Sequence, residues 1–124
     1  MQIRESAEMY LETILVLQQQ NGYVRAVDIA RKMGFSKPSV SVTVHALEEE
    51  HYIAIAEDGN ITLERKGREI AERIYERHTV LSFILESIGV SPQTAESDAC
   101  RIEHVISAET FSRLKEKFYD GRRP

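Results

Sequence analysis

Cys100, Glu103 and His104 are the residues of this 124-residue chain whose types and spacing carry the most chemistry. They stand in the run Ser97-Asp98-Ala99-Cys100-Arg101-Ile102-Glu103-His104-Val105-Ile106. Read as a helix, that run gathers a thiol, a carboxylate and an imidazole on one face, because residues three and four apart are surface neighbours. Ala95, Ala99, Ile102 and Ile106 repeat with the same period and form an adjoining apolar stripe. Sulfur, oxygen and nitrogen donors converging beside a buried surface are the materials of a divalent transition-metal site. A partly buried cysteine next to a solvated Glu-His pair is the plainer alternative, and the run by itself leaves both open.

Other chemistries find less support. Cys100 as nucleophile with His104 as base lacks a third member and an oxyanion arrangement. No Gly-rich phosphate loop, Gly-x-Ser-x-Gly elbow or paired Cys-x-x-Cys occurs. The expectation is a protein that is not an enzyme and takes no small organic substrate. A hydrophobic fraction of 42% and a charged fraction of 29% are ordinary for a soluble globular chain. The length suits one compact domain, or a small domain with a helical extension, and supports a core without staples. No apolar run approaches the roughly 20 residues that cross a bilayer, and Met1–Ser6 does not read as a signal peptide. One cysteine excludes an intrachain disulfide and fits a reducing, cytoplasmic setting without a membrane partner. A net charge of −4 argues against indiscriminate coating of nucleic acid but leaves room for a local basic patch.

The elements that position these residues follow from periodicity and punctuation. Ile3, Ala7, Tyr10, Ile14 and Leu17 predict a first helix from Ile3 to about Gln20, ended by Asn21-Gly22, with Met9 and Glu12 together beside the apolar stripe. Val24 to Gly34 reads as a second, short helix. Ser36 is suited to cap a third from Lys37 to about Glu50, with Pro38 tolerated in its first turn and Val40, Val44 and Leu47 inward. Helix, glycine turn and capped helix is the helix-turn-helix pattern. Tyr52 to Ala56, the turn Glu57-Asp58-Gly59-Asn60 and the return Ile61-Thr62-Leu63 then predict a β-hairpin, completing a winged helix. A long helix from about Glu64 to Ile88 places Ile74, His78, Leu81, Leu85 and Ile88 on a packing seam, where His78 is either a core histidine or a ligand. Gly89 ends it, Ser91-Pro92 opens the helix bearing Cys100, and Ser107 caps a last helix to about Tyr119 with Phe111, Leu114 and Phe118 on one side. Asp120 to Pro124 reads as a frayed tail. The fold class expected is mainly α. A winged helix-turn-helix over 1–64 precedes an antiparallel helical part over 65–124, whose apolar seams suit a homodimer.

The exposed start of the third helix offers small hydroxyls, one cation and apolar groups fit for thymine methyls. Residues 25 to 45 carry a net charge of +3 inside an acidic protein, which suits contact with phosphates. Arg25, Ser36, Lys37, Pro38, Ser39, Ser41 and Thr43 are the expected DNA-facing residues, while a helix-turn-helix serving only as scaffold remains the other reading. Glu57 and Asp58 make the wing tip poor at gripping phosphate, so the recognition helix is expected to contribute more to DNA affinity than the wing.

Five motifs in order carry a resemblance: Glu8-Met9-Tyr10-Leu11-Glu12, Ser36-Lys37-Pro38-Ser39-Val40-Ser41, Leu63-Glu64-Arg65-Lys66-Gly67, Glu76-Arg77-His78 and Ala99-Cys100-Arg101-Ile102-Glu103-His104-Val105. Over essentially its whole length the chain resembles the metal-dependent repressors of the diphtheria toxin repressor family, including the manganese transport regulator branch. The resemblance implies a homodimer that a divalent metal activates to bind a palindromic operator in double-stranded DNA. It implies Met9, Cys100, Glu103 and His104 as a principal metal site of the iron-responsive kind. Met9, Glu12, His78, Cys100, Glu103 and His104 all align with ligand positions of the manganese branch, which carries carboxylates where Met9 and Cys100 stand. Ser36, Pro38 and Ser39 match the part of the family that faces bases and phosphates. The chain ends where iron-type members continue into an SH3-like domain, so none is expected here. Ser82 and Glu96 depart from the iron type's ancillary site.

Soft Met and Cys ligands favour Fe(II) over Mn(II) as effector, with Co(II), Ni(II) or Zn(II) able to bind in vitro. The short build favours Mn(II) instead. One ion bridging the first helix to the later ligands would fix each reading head relative to a dimer axis. A metal-independent winged-helix protein and a metal-buffering module without operator recognition are the readings from other classes.

Overall fold

The computed structural model describes residues 5–119. Its elements are α1 (Glu5–Asn21), α2 (Ala26–Met33), α3 (Lys37–Glu49), β1 (Ile53–Ile55), β2 (Ile61–Leu63), α4 (Arg65–Ser87), α5 (Pro92–Val105) and α6 (Ala108–Phe118). Two compact units divide the chain, one reaching Glu72 and the other beginning at Arg73. The mainly helical class and the winged helix-turn-helix agree with expectation. Ile3 and the tail from Asp120 lie outside the described residues. No helix among the described residues is long and apolar enough to cross a membrane.

The first unit is built around the periodic face of α1. Tyr10, Leu11, Ile14 and Leu17 meet Ile29 of α2, Val40, Val44 and Leu47 of α3, and Ile53, Ile61 and Leu63 of the hairpin in one core. Gly34 takes a left-handed conformation (φ +73°) and closes α2 through its N–H on the Ala30 carbonyl, which turns the chain into α3. Ser36 caps α3 as expected, its Oγ accepting the Ser39 N–H at 3.3 Å. The hairpin pairs Ile53 with Leu63 and Ile55 with Ile61 in antiparallel register.

The second helix starts later than its apolar pattern predicts. Arg25 is the extended N-cap (φ −119°, ψ 163°), and its N–H is taken by the Asp28 carboxylate at 2.9 Å. Val24 instead lies against the wing: its N–H donates to Asn60 Oδ1 at 3.1 Å and its carbonyl accepts from Ile61 N at 2.7 Å. Val24 is therefore buried ahead of the helix, hydrogen-bonded to the wing beside β2. Its burial comes from sheet-like pairing and not from a helix face.

The Tyr52 carbonyl sets the junction between wing and α4. It accepts the Glu64 N–H at 3.0 Å, and the backbone of Gly67, in the first turn of α4, packs directly against it. A Cβ at Gly67 would overlap that oxygen.

In the second unit Val80, Leu81 and Ile84 of α4 share a core with Ala99 of α5 and Phe111 of α6, with Ile102, Ile106 and Leu114 packed against it. Two residues expected on apolar faces stand outside it. Ile88 is 68% exposed because α4 stops at Ser87, one residue before it could join the face. Phe118, on the same side of α6 as Phe111, is 40% exposed at the last position of that helix. Arg77, a cation between Glu76 and His78, is buried instead. Its Nη1 donates to the carbonyls of Glu103 (3.1 Å) and Ile106 (2.8 Å), groups that the end of α5 leaves without helical donors, and its guanidinium stacks 5.5 Å from the Phe111 ring centroid.

Replacing Gly67 with alanine is expected to cost about 1–3 kcal/mol, the usual range for overpacking, because a backbone oxygen has to give way. Denaturant unfolding checks this; an unchanged midpoint would mean that the junction relaxes freely.

Candidate metal centre and nucleic-acid interface

The donor residues are held by two helices of the second unit. Ser91 caps α5 by accepting the Thr94 N–H at 3.3 Å, and Pro92 pre-sets the first turn. Ala95 and Ala99 seat α5 in the core, which directs Glu103 inward one turn later. From α4, His78 Nδ1 meets Glu103 Oε1 at 2.9 Å, and Cys100 Sγ lies 3.9 Å from the same nitrogen. His78, Cys100 and Glu103 thus bring a nitrogen, a sulfur and an oxygen within 4.8 Å of one another. His104 Nε2 approaches the other carboxylate oxygen, Glu103 Oε2, at 3.3 Å.

Burial inverts the plainer reading of this run. Cys100 is exposed, whereas the side chains of Glu103 and His104 are 0% and 1% exposed. A carboxylate taken out of water demands positive charge nearby. Cys100 and Glu103, both against Nδ1, raise the pKa of His78 from 6.5 to about 10 against the opposing effect of its own burial. The metal-free site therefore carries a proton on His78, shared with Glu103. The donor set fits a divalent ion of borderline character, because N, S and O ligands already stand together and a proton occupies the place of positive charge.

The remaining expected ligands belong to the first unit. Met9 and Glu12 lie three residues apart on α1, Met9 exposed and Glu12 half-buried. Ser82 and Glu96, with His78, line a separate hollow between α4 and α5.

In the first unit, Lys37, Pro38, Ser39 and Ser41 are exposed at the start of α3, whereas Thr43 is half-buried. Ser36 is committed to the helix: besides capping, its hydroxyl donates to Ser39 Oγ at 3.0 Å. Val42, 72% exposed, is the most open apolar side chain of this face and belongs with the expected set. Arg25 is exposed next to the wing. Sequence reasoning missed Arg77, whose signal was a cation at a core-spaced position directly before His78. It also missed Asn60, a turn residue whose side chain receives the Val24 amide.

The sign of the His78 shift fixes a pH dependence. A raised folded-state pKa contributes stability that is fully present below the unfolded value of 6.5 and is lost as pH rises through about 10. In chelator, unfolding free energy is expected to fall across that window, and Cys100→Ala and Glu103→Gln each narrow it. Ligation requires the unprotonated imidazole, so apparent metal affinity is expected to climb over the same window by up to about tenfold per pH unit. An affinity flat in pH would remove His78 from the ligand set.

Comparisons with known proteins show the family. The iron dependent repressor N-terminal DNA binding domain matches residues 2–61, and the iron dependent repressor metal binding and dimerisation domain matches residues 64–120. The HTH-type transcriptional regulator MntR of Geobacillus kaustophilus is 34% identical over 109 residues, covering 88% of this chain and 77% of that protein. The structure of T. acidophilum IdeR superposes with a TM-score of 0.79 at 27% identity over 95% of this chain. That of the manganese regulator SloR gives 0.76 at 26% identity over 89%. The chain spans about half the length of these two solved proteins, 55% and 52%. It belongs to the iron-dependent repressor family, the metal-dependent transcriptional repressors of the diphtheria toxin repressor type.

Proposed function

We propose that this chain is a divalent-metal-activated repressor that binds a palindromic DNA operator as a homodimer, with Fe(II) as effector and metal-uptake genes as targets. The observation that carries the reading is the buried Glu103 carboxylate with His78, Cys100 and His104 around it. It lies in a chain whose other unit exposes the polar start of a capped helix-turn-helix. His78, Cys100, Glu103 and His104 act as ligands, with Met9 and Glu12 added on the strength of the family resemblance. Arg25, Ser36, Lys37, Pro38, Ser39, Ser41 and Thr43 form the DNA-facing set, with Ser36 acting mainly by shaping the helix start. Bound metal supplies a multivalent positive centre in place of the His78 proton. Soft sulfur donors favour Fe(II), since Mn(II) prefers oxygen-rich shells.

A second reading, Mn(II) as effector, is favoured by the similarity to MntR and to a regulator described as manganese-responsive. Operator binding by fluorescence anisotropy under strict anaerobiosis separates the two. The duplex is the DNA upstream of this protein's own gene, titrated with chelator, Fe(II) or Mn(II). Tight binding only with Fe(II) is expected; equal activation by Mn(II) would establish the second reading, and indifference to chelator would overturn metal control. Met9→Asp/Cys100→Glu is expected to lower the Fe(II)/Mn(II) affinity ratio, and an unchanged ratio would sink the soft-ligand argument. Glu103→Ala is expected to abolish metal-dependent operator binding while leaving the dimer intact on size-exclusion chromatography. Loss of the dimer would mark Glu103 as structural.

A further inference from the structure

We propose that Tyr23 is a positioning residue for phosphate capture, aiming Arg25 into the groove between α3 and the wing; this rests on the DNA-binding reading above. The groove holds about 310 Å³ and is lined by Arg25, Ser41, His45, Ile55 and Gly59 among others. Arg25 is its one cation of fixed charge, and it is not left to wander. Its Nε donates to Tyr23 Oη at 2.7 Å, and its guanidinium carbon stands 5.1 Å from the Tyr23 ring centroid. Tyr23 Oη in turn reaches the Asp58 carbonyl at the wing tip, at 3.5 Å. The Arg25 stem passes 3.9 Å from the point where a side chain on Gly59 would begin.

Both ends of the arginine are thereby held. The backbone end is fixed by the Asp28 carboxylate on its N–H and by the pairing of Val24 with Asn60 and Ile61. The guanidinium end is fixed by a neutral phenol, so Nε is occupied without its charge being cancelled. The nearby carboxylates are otherwise engaged: Asp28 pairs with Arg31 at 3.6 Å, and Asp58 Oδ1 accepts the Asn60 N–H at 2.9 Å. The terminal Nη groups of Arg25 make no hydrogen bond among the described residues and remain available as a planar fork, the geometry that suits a phosphate. An arginine ordered before contact loses less conformational entropy on binding than a free one. The acidic wing then serves DNA binding as a brace, through Tyr23 and Arg25, and not through charges of its own.

The test is a salt series of anisotropy titrations on a mixed-sequence duplex, since a phosphate contact is blind to sequence. It uses the whole chain under strict anaerobiosis with Fe(II), in parallel with Mn(II), and separately with chelator. Arg25→Gln is expected to reduce the slope of log affinity against log salt by about 0.9, the value of one phosphate contact. Tyr23→Phe, which keeps the ring and deletes Oη, is expected to weaken binding about threefold to tenfold, the effect of one hydrogen bond. It should also move the slope toward the Arg25→Gln value. The double variant should bind no worse than Arg25→Gln alone. An unchanged slope in Arg25→Gln, additive losses in the double variant, or a lowered melting temperature in Tyr23→Phe with the slope intact would each overturn the proposal. Slopes that respond to the variants with and without chelator support the Tyr23 role, and metal control is then decided by the operator titration alone. Failure to bind duplex in any condition overturns both.

Discussion

A carboxylate buried to zero exposure is the constraint on which the second unit depends. Moving such a group out of water costs several kcal/mol unless positive charge and hydrogen bonds meet it. Successive residues of α4 answer that demand at two levels. Arg77 holds the main chain of α5 through the Glu103 and Ile106 carbonyls, and His78 meets the Glu103 side chain. By taking two backbone oxygens, Arg77 organises the end of α5. His78, in contact with the carboxylate itself, can exchange its proton, and this makes the site able to trade a proton for a cation.

The first unit solves a different problem with neutral partners. A three-residue strand pair is too small to hold its shape alone. Val24 adds a third rail to it, Asn60 ties the turn back to that rail, and the Tyr52 carbonyl fastens the far end to α4. The α3 face is thus presented by a scaffold whose hydrogen bonds are almost all to main chain. Lys37 and Ser41 at the start of α3 and the terminal nitrogens of Arg25 stay exposed for contact with a partner.

Much of this was legible in the chain because the signals are local. Ser36, Ser91 and Ser107 cap helices where expected, Gly34 closes α2, and the Ala95–Ala99 stripe faces the core. The convergence of His78 with Cys100 and Glu103 joins residues more than twenty positions apart; periodicity offered His78 only as an unusual seam residue, and the family resemblance gave it a role. What local signals missed depends on tertiary demand. Val24 fits a helical pattern, yet its amide and carbonyl are claimed by the wing. Ile88 keeps the seam spacing, yet the helix ends before it. Arg77 looks like a solvated charge until the open carbonyls of α5 are in view. The degree of Glu103 burial was likewise unreadable, since a glutamate on an amphipathic helix is usually wet.

Cys100 is the only sulfhydryl in the sequence, and it faces solvent while the acid it stands beside does not. A thiol-directed reagent therefore marks this chain at one place, and that place adjoins the His78–Glu103 pair. The rate of alkylation is a direct gauge of the centre, and oxidation of that one sulfur would remove the soft donor that the second unit supplies while leaving its nitrogen and oxygen donors in position.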